Sequence, residues 1–321
     1  KVQLYTGDGS SQAITFDDTD TNMQPDLVWI KNREQTDSNG LFDSVRGATE
    51  LIHTNTNVET ATDADTLDSF ASDGFQVDAD VKVNTDGEGY VAWCWKESAT
   101  SGFDIVIYTG NGTDDTDIAH SLSAVPHLMI VRCRSDDEGW MVYHHKNTSA
   151  PETDYLELNN NNATADAADK WSDEAPTSSV FTLGDNNSHN GDSRTYVNYL
   201  FSEKQGFSKF GTYTGNADAD GTFIYTGFRP AYIICKISSG TEDWRSWDNK
   251  REGYNPTNDS LSPSRNWVEA YGGTAQGIDI VSNGFKCRIT NTEVNGASTY
   301  IYIAFAEAPF VNSNGVPCNA R

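Results

Sequence analysis

Basic side chains are scarce in this sequence: 22 lysines and arginines stand against 47 aspartates and glutamates, a formal charge of −25 at pH 7. A surface of that sign repels nucleic acid and anionic membranes, stays soluble, and suits divalent cations. No stretch approaches the ~18 apolar residues a membrane helix requires, so no helical membrane insertion is expected. Cysteine is sparse too. The five, at 94, 133, 235, 287 and 318, show no CxxC and no regular spacing, and an odd count argues against a closed disulfide framework or a zinc pattern. Cys94, Cys133 and Cys235 lie inside apolar runs, where a free cysteine behaves as a small hydrophobe. GxSxG, P-loop and dinucleotide fingerprints are missing, and carboxylates are too plentiful for one glycosidase pair to stand out. The chain therefore reads as no enzyme. It opens at Lys1 inside a strand-like segment, without an initiator methionine, which suggests a processed or partial product whose attachment segment precedes it. Long helical periodicity is also missing, although residues 67–70 could begin a short helical turn.

What is present is repetition. Aromatics make up 11% of 321 residues, ample for several cores. Tyr5-Thr6-Gly7 recurs as Tyr108-Thr109-Gly110 and Tyr213-Thr214-Gly215, at steps of 103 and 105. A proline then opens an apolar run at Pro25, Pro126 and Pro230. A central aromatic pair follows, read as Leu41-Phe42, Trp140 with Tyr143, and Trp244 with Trp247. Phe75, Phe181 and Phe285 come late. Each unit closes on one pattern: Tyr90-Val-Ala-Trp-Cys-Trp95-Lys-Glu97, Tyr196-Val-Asn-Tyr-Leu-Phe201-Ser-Glu203, and Tyr300-Ile-Tyr-Ile-Ala-Phe305-Ala-Glu307. Landmarks that keep order and spacing define three copies of one module.

In a strand, alternate side chains face opposite sides. The closing segment puts Val91, Trp93 and Trp95 on one face, matched by Val197, Tyr199, Phe201 and by Ile301, Ile303, Phe305. That face is apolar in every copy and should line a core. The opposite face varies (Tyr90, Ala92, Cys94; Tyr196, Asn198, Leu200; Tyr300, Tyr302, Ala304) and should meet a looser environment. Residues 27–30 are continuously apolar, as in a strand covered on both faces, with Pro25 at the entrance. Stretches rich in Asn, Asp, Ser, Thr and Gly separate the strands. The reading is all-β: three tandem antiparallel β-sandwich or jelly-roll modules, over residues 1–100, 101–206 and 207–321, the last with a tail lacking strand pattern from Ala308 that could lie over the third module or a neighbouring subunit. The joints are short, so the modules should touch.

Several residues are candidates for chemistry. Asn216, Asp218 and Asp220, followed by Gly221, resemble the start of a calcium loop, but the twelfth position is Gly227, where an EF-hand needs glutamate. A calcium site completed from elsewhere and a solvated turn both remain open; no other cofactor is indicated. His144-His145 cannot easily share one ion, because neighbours in a strand point apart. Glu97, Glu203 and Glu307 recur, which suggests a structural role. Trp140, Trp171, Trp244, Trp247 and Trp267 stand beside polar residues, as in sugar sites where an aromatic face meets a pyranose ring. For Trp244 and Trp247 the alternative is the core aromatic of the repeat.

Tyr5-Thr-Gly-Asp-Gly9, Pro25-Asp-Leu-Val-Trp-Ile-Lys-Asn-Arg33, Ser72-Asp-Gly-Phe75, Tyr90 to Lys96, Gly206 to Gly215, and Ala306-Glu-Ala-Pro309 through Ala320-Arg321 together resemble repeat modules of virion proteins in tailed bacteriophages of marine bacteria. The resemblance covers essentially the whole chain. It implies concanavalin-like (lectin-type) sandwich modules in a virion protein, either a tail fibre that binds a host-surface carbohydrate or protein, or a head fibre or decoration protein with an assembly role. A depolymerising tailspike fits less well, for want of a catalytic constellation. Other virion proteins would be its partners. Either three copies assemble as a homotrimer, or the three modules of one chain form a compact lobe that imitates one.

Overall fold

Each proline-led apolar run becomes an inner strand of a large antiparallel sheet. In this computed structural model residues 1–17, 22–269 and 277–307 are described in full, with the backbone of two further short strands at 310–311 and 317–318. The first large sheet runs, in spatial order, Val2–Thr6, Gly89–Trp95, Leu27–Asn32, Gly40–Asp43, Gly47–His53 and Ala61–Thr62. The second repeats that order with Phe103–Thr109, Thr195–Phe201, Leu128–Cys133, Trp140–His144, Asp154–Glu157 and Ala165–Asp166. The third has Ser208–Thr214, Thr299–Ala306, Pro230–Ile237 and Arg245–Asp248. Smaller antiparallel sheets accompany them: Gln12–Thr15 with Gly74–Val77 and Leu67–Ala71, Thr116–Ala119 with Val180–Leu183, and Phe223–Tyr225 with Gly284–Cys287 and Ile278–Val281. The protein is all-β with sandwich-like layers; its helices among the described residues are single turns.

Burial divides by face. Val91, Trp93, Val197, Tyr199, Phe201, Ile301, Ile303 and Phe305 do line a core, but it is one core common to all three large sheets. Near its centre Trp95, Phe201 and Phe305 meet edge to face, with ring centroids 5.5, 5.6 and 6.4 Å apart. Such T-shaped contacts are favoured by the ring quadrupoles. The three closing strands thus converge on a pseudo-threefold axis, and a cavity of about 30 Å³ lined mostly by aliphatic and aromatic side chains lies between them.

The opposite face is not looser. Tyr90, Ala92 and Cys94 are as fully buried as Val91 and Trp93, because the small sheet covers them with Ile14, Leu67 and Phe75. Equivalent clusters lie under Phe181 and Leu183 and under Ile224, Ile278 and Phe285. Two further expectations change. Residues 67–70 form strand, since Leu67–Ala71 pairs with Gly74–Val77 and buries Leu67 against it. In the tail, Phe310–Val311 and Pro317–Cys318 pair as a two-residue ladder; where the rest of it lies falls outside the described residues.

Candidate functional site

The four tryptophans read as sugar platforms, Trp140, Trp171, Trp244 and Trp247, are each at most 1% exposed. No ring face is open to a pyranose, and their indoles serve packing instead. Trp171 donates to the Asp154 carbonyl (3.0 Å) within its own repeat, and Trp247 lies in the core under the third small sheet. Trp140 and Trp244 reach across repeats: Trp140 Nε1 donates to the His53 carbonyl (3.0 Å) and Trp244 Nε1 to the Glu157 carbonyl (2.8 Å). Trp267 is half-buried and carries the guanidinium groups of Arg245 and Arg265 near its ring.

Strand register shows that the first repeat has Asn39, not Leu41, level with Trp140 and Trp244. Asn39 makes the matching contact with the third repeat, donating to the carbonyls of Ser262, Pro263 and Arg265. A second ring of contacts runs the other way round. Tyr199 donates to Asp43 (2.7 Å), Trp93 Nε1 to Asp248 (3.2 Å), and His144 Nε2 bonds the Tyr302 carbonyl (3.2 Å). Asp43, His144 and Asp248 hold equivalent strand positions, so every repeat grips both neighbours and the ring closes. Burial, with His145 beside it, pushes the His144 imidazole down to about 3, so it stays neutral and donates to that carbonyl. His145 bonds the Phe210 carbonyl (2.7 Å), so both histidines dock the third repeat.

The Tyr-Thr-Gly signature is a staple. Tyr5 stacks on Tyr90, Tyr108 on Tyr196 and Tyr213 on Tyr300, with centroids 5.2, 5.2 and 4.9 Å apart. Their hydroxyls hold one turn of chain that ends in a fully buried asparagine: Asn84, Asn190 or Asn295. That asparagine accepts from the N–H following the glycine, at Asp8, Asn111 or Asn216. The glycine is required because a Cβ on Gly7, Gly110 or Gly215 would sit 2.1–2.4 Å from a carbonyl oxygen of that turn. Sequence reading missed the asparagine, although Asp80, Asn186 and Asn291 each precede it by four residues and mark it. Each repeat also buries a cation at Lys31, Arg132 or Lys236. Arg132 and Lys236 reach carbonyls of the preceding repeat, at Val58 and Asn161. Burial pulls both lysines down to about 8.

The suspected calcium ligands are engaged locally. Asn216 Oδ1 accepts from the Asp218 N–H (3.1 Å) and from Asn295 Nδ2 (2.9 Å), and Asp218 Oδ1 from the Asp220 N–H (2.9 Å). Asp220 pairs with Lys286 and Arg288, and the hydrogen bond from Lys286 holds its carboxyl below the usual range. Asp8 and Asn111 form the same turn in the other repeats. Among the described residues no group of three or more His, Cys, Asp or Glu side chains is gathered around a common point. Cys94, Cys133, Cys235 and Cys287 are unpaired and buried, and burial pushes the Cys94 and Cys287 thiols up to about 12, where they are inert.

Two of the recurrent glutamates join the repeats, while Glu307 bonds Arg229 and Asn249 of its own repeat. Glu97 accepts from the Ile105 N–H (3.3 Å) and Glu203 from the Phe210 N–H (2.8 Å), each at the start of the next repeat. Their surroundings differ in sign. Burial, with Asp104 and Asp26 beside it, pushes Glu97 up to about 7. Burial acts the same way on Glu203, but the His145 imidazole 3.6 Å away, the hydrogen bond from the Phe210 N–H and the Lys209 charge hold it down to about 2. A carboxyl raised on folding stabilises the fold while protonated, and that contribution is lost as pH rises from the unfolded value through 7. Glu203 behaves oppositely, losing its contribution as pH falls below the ordinary glutamate range towards 2. Glu97→Gln should therefore make the protein more stable than the parent at pH 8, by about 1 kcal/mol after solvent screening, with little difference at pH 4.5. Urea unfolding at the two pH values checks this, and an equal offset at both would refute it.

No curated protein and no solved structure matches the chain. Residues 1–309 match one family, described only as a domain of unknown function. That match takes in all three repeats, the tyrosine staples and the closing strands, and the chain is a member of the DUF7483 family.

Proposed function

We propose that the chain is a non-enzymatic structural protein of a bacteriophage particle, acting as a tail-fibre adhesin that engages a carbohydrate or protein on the host surface. Its three repeats are taken as tandem sandwich modules of the jelly-roll or concanavalin-like type. The supporting observation is the closed ring of contacts around one shared core. By internal repetition a single chain reproduces the geometry of a trimer, which suits coaxial mounting on a threefold fibre without three copies of this chain. The repeated residues, from the tyrosine pairs to the buried asparagines, are spent on holding the scaffold. The exposed loops, where the repeats diverge, are left for recognition. A rigid scaffold that displays divergent loops is the usual construction of a binding protein.

Antibodies against the purified chain test this on intact particles by electron microscopy, alongside an adsorption assay. Label at the distal tail with blocked adsorption supports the adhesin. Label on the head with adsorption unimpaired transfers the chain to the head-fibre or decoration role. Absence of label on any particle sinks both.

A further inference from the structure

The exposed large aromatic side chains among the described residues are Phe223, Tyr225 and Tyr254, and all three belong to the third repeat. Phe223 and Tyr225 alternate with Ile224, which is buried against Phe285, so both rings stand on the outer face of the small sheet. At the equivalent positions the first repeat has Ala13 and Thr15 and the second Asp117 and Ala119. The fold does not need aromatics there, and exposing them costs solvation that the other repeats avoid.

The face is wider than its three strands. The Asn255 side chain exchanges two hydrogen bonds of 2.9 Å with the Ile280 backbone, and Thr257 forms an antiparallel bridge with Ile278, so the bend at 254–257 lies along the Ile278–Val281 edge. Val281 on that edge pairs with Gly284, which pairs with Tyr225, and the exposed Tyr254 directly precedes Asn255. Tyr225 thus stands beside a low strip of sheet carrying Gly284 and Val281. The neighbouring row reads Phe223, Lys286, Asp279. Lys286 and Arg288 bond Asp220, and Arg288 also bonds Asp279 (2.9 Å). Two cations here offset two anions, whereas the whole chain carries −25.

We propose that this face binds an uncharged oligosaccharide, its rings stacking on Tyr225, Phe223 and Tyr254 and its hydroxyls meeting the Lys286–Asp220–Arg288–Asp279 network. The proposal rests on the adhesin reading and names its ligand class. Aromatic faces match the apolar sides of pyranose rings. The acidic surround disfavours sulfated or uronate-bearing polymers, while the locally balanced charge leaves a neutral one unopposed.

The full chain is tested on an array of neutral hexose oligosaccharides of varied linkage with sulfated and uronate-bearing counterparts, and host-cell binding is measured in parallel. Binding to a neutral glycan is expected, weakened about tenfold by Tyr225→Ala or Phe223→Ala and retained by Tyr225→Phe, at unchanged melting temperature because the rings are exposed. Binding indifferent to these substitutions, a preference for acidic glycans, or no glycan bound at all overturns the proposal. If cells are still bound in those cases, the adhesin reading outlives it; loss of both removes both. Self-association abolished by Tyr225→Ala would make a second copy the occupant and equally overturn it.

Discussion

Trp140→Ala and Trp244→Ala will each lower the unfolding free energy by about 3–5 kcal/mol, the range for deleting a large buried aromatic. Three effects act together. The indole's apolar surface is lost from the shared core. A void opens between two repeats that cannot close without shifting both sheets. The carbonyls of His53 and Glu157 then lose the donors that reach them from the neighbouring repeat, and a buried acceptor left unpaired costs more than an average hydrogen bond contributes. Because the damage lies between repeats, amide exchange should quicken in the preceding repeat as well as around the substitution. Urea unfolding with exchange measured by mass spectrometry reads both. A loss below about 1 kcal/mol, or exchange confined to the mutated repeat, would mean that the repeats stand independently. Tyr225→Ala is the contrasting case, with stability unchanged and only ligand binding altered.

Asp43→Asn is expected to cost a similar amount, about 3–5 kcal/mol, the figure for leaving one member of a buried ion pair alone, and Asp248→Asn less, because Arg251 keeps Glu269 at 3.1 Å. Asp43 and Arg46 have no exposed side-chain surface, and Asp248 and Arg251 at most 1%. The Asp43 carboxylate accepts from the N–H groups of Val45 and Arg46, from the Arg46 guanidinium and from Tyr199. An amide in its place removes the charge and turns one acceptor into a donor facing donors. The cost belongs to the stranded arginine more than to the bond, so the pair Asp43→Leu with Arg46→Met should be milder than Asp43→Asn alone. If the double variant is the less stable in a chemical denaturation series, the pair is a net stabiliser and this account of it fails.

How much of this was readable beforehand depends on the kind of interaction. Strand, turn and repeat are local or periodic, and the apolar face of the closing strand announced itself three times over. The same periodicity could not say what that face meets. Positions that converge on a pseudo-threefold axis pack against their own counterparts, which explains why Trp95, Phe201 and Phe305 remain bulky and apolar together. The other face packs against its own small sheet. Ala92, Asn198 and Tyr302 differ there because each local core adjusts alone, and such variation reads as a looser environment.

The burial of the four tryptophans expected as sugar platforms escaped the sequence for a related reason. A tryptophan beside aspartate and arginine reads alike whether it faces water or a neighbouring repeat, since the flanking charges pair either way. Phe223 and Tyr225 drew no notice because aromatics alternating with an isoleucine look like ordinary strand. By itself the sequence determined the all-β character, the threefold repetition, the net negative charge and the sparse, irregularly spaced cysteines, because composition and spacing carry these. Only the tertiary structure decided that the repeats close into a ring around one core and which aromatics remain outside it. Those are contacts between residues 87 to 226 positions apart, and no local pattern encodes which of two apolar faces a distant sheet will cover.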